Sequence, residues 1–297
     1  MLRRHFLWYL LLFASGCTAA INNQGSKNNS LLKEKDKLLF AVSDALGLKE
    51  LQRDYEPFRM ALEEVLETKI EFFPVDNFIE VATALQLGLV DLVLAGPSEY
   101  VIVKARTNAL PIVALTRPNY RAAIAIRRDS GIKSLADLKG KTIELGKIGI
   151  TGSYLGQIKM LMDAGLNPKS DVKILSSDDY RLKGLKNGEV DAWGRTLHRY
   201  ESSLKKEGAS DQDYPLLAEG KPLPNDVFIA SSKLEPMLVD EILEQMLENK
   251  DRLLQAILSV PRFTSKFKGA TLASANDSDY DMIREVYKAM GEDDFLK

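Results

Sequence analysis

The chain is short of the side chains that catalysis and metal binding usually draw on. Its 297 residues include one cysteine, Cys17, and two histidines, His5 and His198. A lone thiol can form no intrachain disulfide and offers no thiolate pair to a metal. Two histidines are too few for a multi-histidine zinc site. A Ser-His-Asp triad could use only His198, and no G-x-S-x-G elbow supplies the serine. Gly140-Lys141-Thr142 ends like a phosphate-binding loop, but the glycine needed at its start is Leu135. Gly146, Gly149 and Gly152 do not have the dinucleotide-fingerprint spacing. The expectation is a protein with no catalytic residue, no metal and no cofactor.

Charge of one sign is also lacking. Forty Lys and Arg face 42 Asp and Glu, for a net charge of −2. With no basic stripe, nucleic acid is not the expected partner. Long apolar runs are missing too. Residues 6–14 are unbroken apolar sequence, whereas a membrane-crossing helix needs roughly 20 such residues. Arg3 and Arg4 precede this run and Ala14-Ser15-Gly16-Cys17 follows it. That order reads as an export signal (residues 1–16) ending in a lipobox. Cys17 would then become the lipid-bearing N-terminus. Residues 17–36, rich in Asn, Ser and Lys, read as a flexible tether. We therefore expect a periplasmic protein anchored to a membrane by its N-terminal lipid.

What is present is an ordinary globular composition, 45% hydrophobic and 28% charged, long enough for two lobes with separate cores. From Lys37 onward, short apolar runs alternate with amphipathic helices. Leu38–Val42, Ile70–Phe73, Asp91–Ala95 and Ile112–Leu115 read as strands. Phe58, Leu62, Val65 and Leu66 mark one helical face, and Phe78, Val81, Ala82 and Leu85 mark another. Gly88 suits the end of the second helix, and Pro97 the start of a third. This β-α-β alternation predicts a largely parallel sheet. A second α/β series follows the Arg117-Pro118-Asn119 link. Its strands are Tyr120–Ile126, Lys141–Leu145, Val172–Leu175 and Val190–Trp193. Its helices include one over Arg195–Lys206. Pro222–Asn225 reads as a return link and Val227–Ala230 as a strand. The rest reads as helical, with a loop near Lys268–Asp277. The expected lobes are 37–118 with 226–297, and 119–225.

Two α/β units joined by two crossings suggest a ligand cleft. The stretch from Gly146 to Tyr154 follows a strand and opens a helix. Its amides, with the Thr151 and Ser153 hydroxyls, could hold an anion; a plain helix cap explains the same residues equally well. Ser98 and Tyr100, after Pro97, are candidates to face the cleft, although Tyr100 could equally pack under the sheet edge. Arg195 and His198 read as helix surface, with a cleft position as the alternative.

Tyr120–Lys141, Ile150-Thr-Gly-Ser-Tyr-Leu155 and Ala95-Gly-Pro-Ser-Glu-Tyr100 resemble the phosphate/phosphite/phosphonate-binding proteins of ABC transporters. Asn187-Gly-Glu-Val-Asp191, Pro224-Asn-Asp226 and Asp279–Arg284 extend the resemblance, which runs from about residue 37 to 291. It implies a type II periplasmic-binding fold, two α/β lobes on a two-crossing hinge that closes around a ligand. It also implies a monomer that passes a small anionic solute to an ABC permease. The family's site maps onto Tyr120 at the crossing and Thr151 at the anion turn, with Gly152 and Ser153 beside it as further ligand-binding candidates. Asp226 matches the acid that faces the ligand amine in aminoalkyl-phosphonate binders. Three positions depart from the pattern: Phe78 replaces a tyrosine, Ile150 a serine, and Asp178 a histidine. Two lost hydroxyl donors, at about 1.5–3 kcal/mol each toward a charged group, put the ligand in question. The alternatives are a binding protein that signals to a sensor kinase, one re-specialised for another solute, and, least supported, an enzyme.

Overall fold

The computed structural model describes residues 30–45, 47–177 and 182–296. In chain order, α1 (Leu31–Glu34) leads to β1 (Lys37–Val42), α2 (Gly47–Leu66), β2 (Lys69–Phe72), α3 (Phe78–Leu87), β3 (Leu92–Ala95), α4 (Pro97–Thr107) and β4 (Leu110–Leu115). Next come β5 (Arg121–Ile126), β6 (Thr142–Leu145), α5 (Gly156–Asp163), β7 (Lys173–Ser176), α6 (Leu182–Lys186), β8 (Ala192–Thr196), α7 (Leu197–Lys206) and β9 (Leu216–Pro222). The remainder forms β10 (Asp226–Ala230), α8 (Pro236–Glu248), α9 (Lys250–Leu258), α10 (Pro261–Lys266), β11 (Leu272–Ser274) and α11 (Asp281–Met290).

The local signals act as expected. The Asn77 side chain accepts from the Ile79 and Glu80 amides and so caps α3, and Gly88 stops the helix in the left-handed conformation, φ 74°. Pro97 occupies the first turn of α4, where its missing N–H costs nothing.

The strands form two sheets. One has the order β11-β4-β10-β3-β1-β2, the other β7-β6-β8-β5-β9. In the first, β1 pairs in parallel with β2 and β3, as the alternation predicts. The sheet is not built in sequence order beyond that point. After the second crossing β10 inserts antiparallel between β3 and β4, so the first sheet is completed by a strand more than a hundred residues downstream. Alternate side chains feed opposite faces. Leu38, Phe40 and Val42 of β1 join Phe58 and Phe228 on one side, while Ala41, Val93 and Ala95 join Val81 and Val101 on the other.

Three local expectations need correction. Arg195 is not helical: β8 runs through it to Thr196, and α7 begins at Leu197. Gly194 lies within this strand, where only glycine fits: a Cβ would come 2.4 Å from Leu145 and 2.7 Å from Gln157. Leu216–Pro222 is a strand, β9, antiparallel to β5, where the sequence offers little alternation. The expected loop near Lys268–Asp277 contains β11, held at the edge of the first sheet by β4.

The second core face continues from one sheet region to the other. Tyr100 is fully buried against Tyr280, ring centroids 4.5 Å apart, and its hydroxyl donates to Asp277. Tyr100 is therefore a packing residue. The reading that placed it in the cleft is not borne out, because the aromatic pair holds it on the far side of α4. Ile283, Val286 and Tyr287 of α11 belong to the same apolar cluster as Tyr154, Leu155 and Ile158, so α11 packs on α4 and on α5 together.

Candidate functional site

The site forms where the chain crosses between the sheets. The two crossings are tied together. The Arg117 amide donates to Asn225 Oδ1 at 2.9 Å, the Leu223 amide to the Tyr120 carbonyl at 2.8 Å, and the Tyr280 hydroxyl to the Asn225 carbonyl at 3.1 Å. Arg117 turns back over the Tyr120 ring, its guanidinium carbon 3.5 Å from the centroid. Its Nη1 lies 3.5 Å from one oxygen of Asp226, and Lys266 Nζ lies 3.0 Å from the other. Asp226 opens β10 and is buried. Both of its oxygens thus face cations of the protein, unlike a carboxylate held ready for a ligand amine.

The Thr151 turn approaches from the second sheet. Gly149 takes φ 85°, which a residue with a side chain rarely adopts. The backbone then makes a wide turn in which the Leu155 amide reaches back to the Ile150 carbonyl at 3.1 Å. Gly152 packs where no side chain fits: a Cβ would come 2.4 Å from Thr196 Cγ2 and 2.7 Å from the Tyr120 ring. The Ser98 amide, in the first turn of α4, donates to Thr151 Oγ1 at 3.1 Å. One hydrogen bond therefore joins the helix start of the first sheet to the turn of the second.

Two connected chambers lie here. The inner one, about 170 Å³, is lined by Gly96, Ser98, Glu99, Thr151 and Asp226. The outer one, about 730 Å³, is lined by Gly152, Ser153, Thr196, His198, Arg199 and Arg262. Asp44, Arg117, Tyr120, Ile150 and Lys266 border both. Ser153 and Thr196 are 4% and 5% exposed, and their hydroxyls, with Arg117 Nε, have no hydrogen-bond partner among the described residues. A buried polar atom without a partner costs about 1–3 kcal/mol, so three together mark a place where a polar solute would be stabilising.

The field in the outer chamber is positive. His198 is pushed down to about 4, first by burial and then by the surrounding charges of Arg117, Arg199, Arg195 and Lys266. Glu99 is raised by burial, against the pull of hydrogen bonds from Ser43 and the Gly96 amide; Asp44 and Asp226 raise it further. Burial pushes the Tyr120 hydroxyl up to about 12, so it remains a neutral donor. Among the described residues, no group of three or more His, Cys, Asp or Glu is placed to hold a metal ion.

The structure brings Ser98, Tyr120, Thr151, Gly152, Ser153 and Asp226 together at this cleft. Phe78 opens α3, and its side chain, like Asp178 and Cys17, lies outside the described residues. His198 lines the cleft, and Arg195 stacks on Trp193 at 5.1 Å from the ring centroid. Sequence reasoning missed Arg117, Thr196, Arg199, Arg262 and Lys266. Arg117 could be located, since it precedes Pro118 at the crossing, but not assigned a role. Arg262 and Lys266 reach the cleft from α10, and no motif announces them.

Comparison with known proteins accounts for this arrangement. The family model described as "ABC transporter, phosphonate, periplasmic substrate-binding protein" matches residues 40–280. The arginine-binding extracellular protein ArtP of Bacillus subtilis is 32% identical over 193 residues, 60% of this chain and 66% of that protein, just under two thirds of its length. The phosphate-import protein PhnD of Mycolicibacterium smegmatis is 21% identical over 248 residues, 78% of this chain and 76% of that protein. In structure, PhnD1 of Prochlorococcus marinus in complex with methylphosphonate superposes with a TM-score of 0.60 at 19% identity, covering 86% of this chain and 99% of that one. The fold is thus the expected two-lobed α/β arrangement of type II periplasmic binding proteins, and these relatives are solute carriers, not enzymes. The chain belongs to the family of periplasmic substrate-binding proteins of phosphonate ABC transporters.

Proposed function

We propose that the protein is a lipid-anchored binding component of an ABC importer that captures a small phosphorus oxyanion between its lobes. One observation carries the reading. The buried hydroxyls of Ser153 and Thr196 and Arg117 Nε lack partners among the described residues and border a chamber where Arg117, Arg199, Arg262 and Lys266 outnumber one acid, Asp44. A tetrahedral oxyanion accepts several hydrogen bonds at once and carries the opposite charge. The phosphate-import relative and the methylphosphonate-bound neighbour agree with this choice. The arginine-binding relative suggests a competing solute, but a guanidinium ligand would be repelled by these four cations, and Asp226 is already engaged by two of them.

The test is a thermal-shift series on the protein from residue 30 onward, which keeps α1 and its buried Leu32, with phosphate, phosphite, methylphosphonate, sulfate and L-arginine. A ligand at 100 times its Kd stabilises by about 2.7 kcal/mol. A rise in Tm with a phosphorus oxyanion supports the proposal; a rise with arginine alone overturns it. The anchor rests on Arg3, Arg4, the apolar run 6–14 and Cys17. A Cys17→Ser variant of the full chain should leave the membrane fraction, and its retention there would refute lipidation at this residue.

A further inference from the structure

We infer that the solute carries two separated anionic groups: an oxyanion head held by Ser153, Thr196 and Arg117, and a second anion bridging Arg199 and Arg262 at the mouth of the cleft. This rests on the anion-capture reading above and goes further by naming the class of solute.

The argument is one of charge and space. Arg117 and Lys266 share Asp226, and Asp44 lies 3.9 Å from Lys266. Arg262 shares Asp54 with Arg53, which also pairs with Glu50 at 3.5 Å. Arg199 is exposed and has no ion-pair partner among the described residues. Arg199 therefore adds to the chamber lining a positive charge that no described acid neutralises. The two arginines come from opposite sides: Arg199 lies on α7, which packs on β5 and β8 of the second sheet, and Arg262 lies on α10, whose Phe263 joins the core of the first sheet. Both arginines line the same chamber. Closing the lobes brings like charges toward each other, which is unfavourable unless an anion lies between them. A lone phosphonate head at the Ser153–Thr196 hydroxyls would leave that repulsion in place.

Space agrees with charge. The outer chamber, about 730 Å³, falls within the range of about 300–1,000 Å³ typical of pockets that enclose small organic molecules. It extends from the buried hydroxyls to arginines that are exposed or, for the Arg262 side chain, half-exposed. His198, between Arg117 and Arg199, is kept neutral by burial and by the same cations. An imidazole there serves as a local reporter of how much of the positive field a ligand cancels.

The experiment compares three probes of similar length by calorimetry: n-propylphosphonate, 3-phosphonopropionate and glutarate. Each is titrated into the wild-type domain and into Arg199→Gln, which removes an exposed, unpaired side chain and should fold. The expected result is that 3-phosphonopropionate binds wild type at least about tenfold more tightly than n-propylphosphonate. That ratio should collapse toward one in Arg199→Gln, and the His198 ring resonances should titrate at higher pH only in the two-ended complex. Equal affinity for the two phosphonates in wild type overturns the inference and leaves phosphorus-oxyanion capture standing. Binding of glutarate alone, weakened by Arg199→Gln, upholds the two-anion inference and removes the phosphorus head. Failure of all three probes defeats both.

Discussion

Replacing Gly152 by alanine tests the geometry on which the site depends. The backbone at Gly152 is not in the left-handed region, so alanine meets no backbone strain. In a helical turn, alanine is intrinsically better than glycine by about 1 kcal/mol. Any loss of stability must therefore come from contact. The new Cβ would lie 2.4 Å from Thr196 Cγ2, 2.7 Å from Tyr120 Cε2 and 2.8 Å from the Tyr120 hydroxyl. Neither neighbour can yield easily. Thr196 is buried at the end of β8, and Tyr120 is buried beneath the Arg117 guanidinium. Overpacking of this kind costs about 1–3 kcal/mol. Displacing Tyr120 would also move Arg117 away from Asp226, so the oxyanion site should weaken along with the fold. For a chain of this size we expect Tm to fall by a few degrees and oxyanion affinity to drop at least about tenfold. Thermal melts with and without ligand measure both. A Gly152→Ala protein with unchanged Tm and unchanged affinity would show that the turn does not press on Tyr120, and the description of the site would be wrong.

Other perturbations separate the remaining parts. Asp226→Asn leaves Arg117 and Lys266 without their shared carboxylate; breaking a buried pair costs up to about 3–5 kcal/mol, less here because Lys266 is partly exposed. The bound oxyanion should offset part of that loss, so its stabilising effect on Tm should be larger in this variant than in wild type. Tyr120→Ala should weaken ligand binding more than Ser98→Ala, since Tyr120 borders both chambers while Ser98 uses its backbone amide in the Thr151 contact; equal affinities would refute that order. His198 sits at about 4 when folded against an ordinary value of 6.5. Between these values the unfolded chain binds the proton more readily, so the native state is penalised progressively as pH falls from 6.5 toward 4. Melts over that range should show a shallower loss of Tm in His198→Gln than in wild type, and identical slopes would remove His198 from the acid response.

Much of the architecture is legible in local pattern. Apolar alternation places β1 to β4, and Asn77, Gly88 and Pro97 mark helix ends because caps act through their own and neighbouring backbone groups. The apolar periodicity and the turn at Thr151 depend on residues close in sequence, as does the short Arg117–Asn119 crossing. Strands β9 and β11 are different. They exist because β5 and β4 supply hydrogen-bonding edges, and edge pairing carries no requirement that the strand's own sequence alternate. The role of Gly194 is likewise tertiary: its smallness serves the close approach of Leu145 and of Gln157 on α5.

The site divides in the same way. The sequence by itself determines that there is a glycine-rich turn with Thr151 and Ser153, a tyrosine at one crossing and an acid after the other. Only the tertiary structure decides what surrounds them. Arg117 folds over Tyr120, Lys266 arrives from α10 to take Asp226, and Arg199 and Arg262 both line the outer chamber. These cations lie on three separate segments, the first crossing, α7 and α10, spread over well over a hundred residues of chain. Charges act through space, not along the backbone, so a field built from separate segments exists only once the two sheets have been brought together.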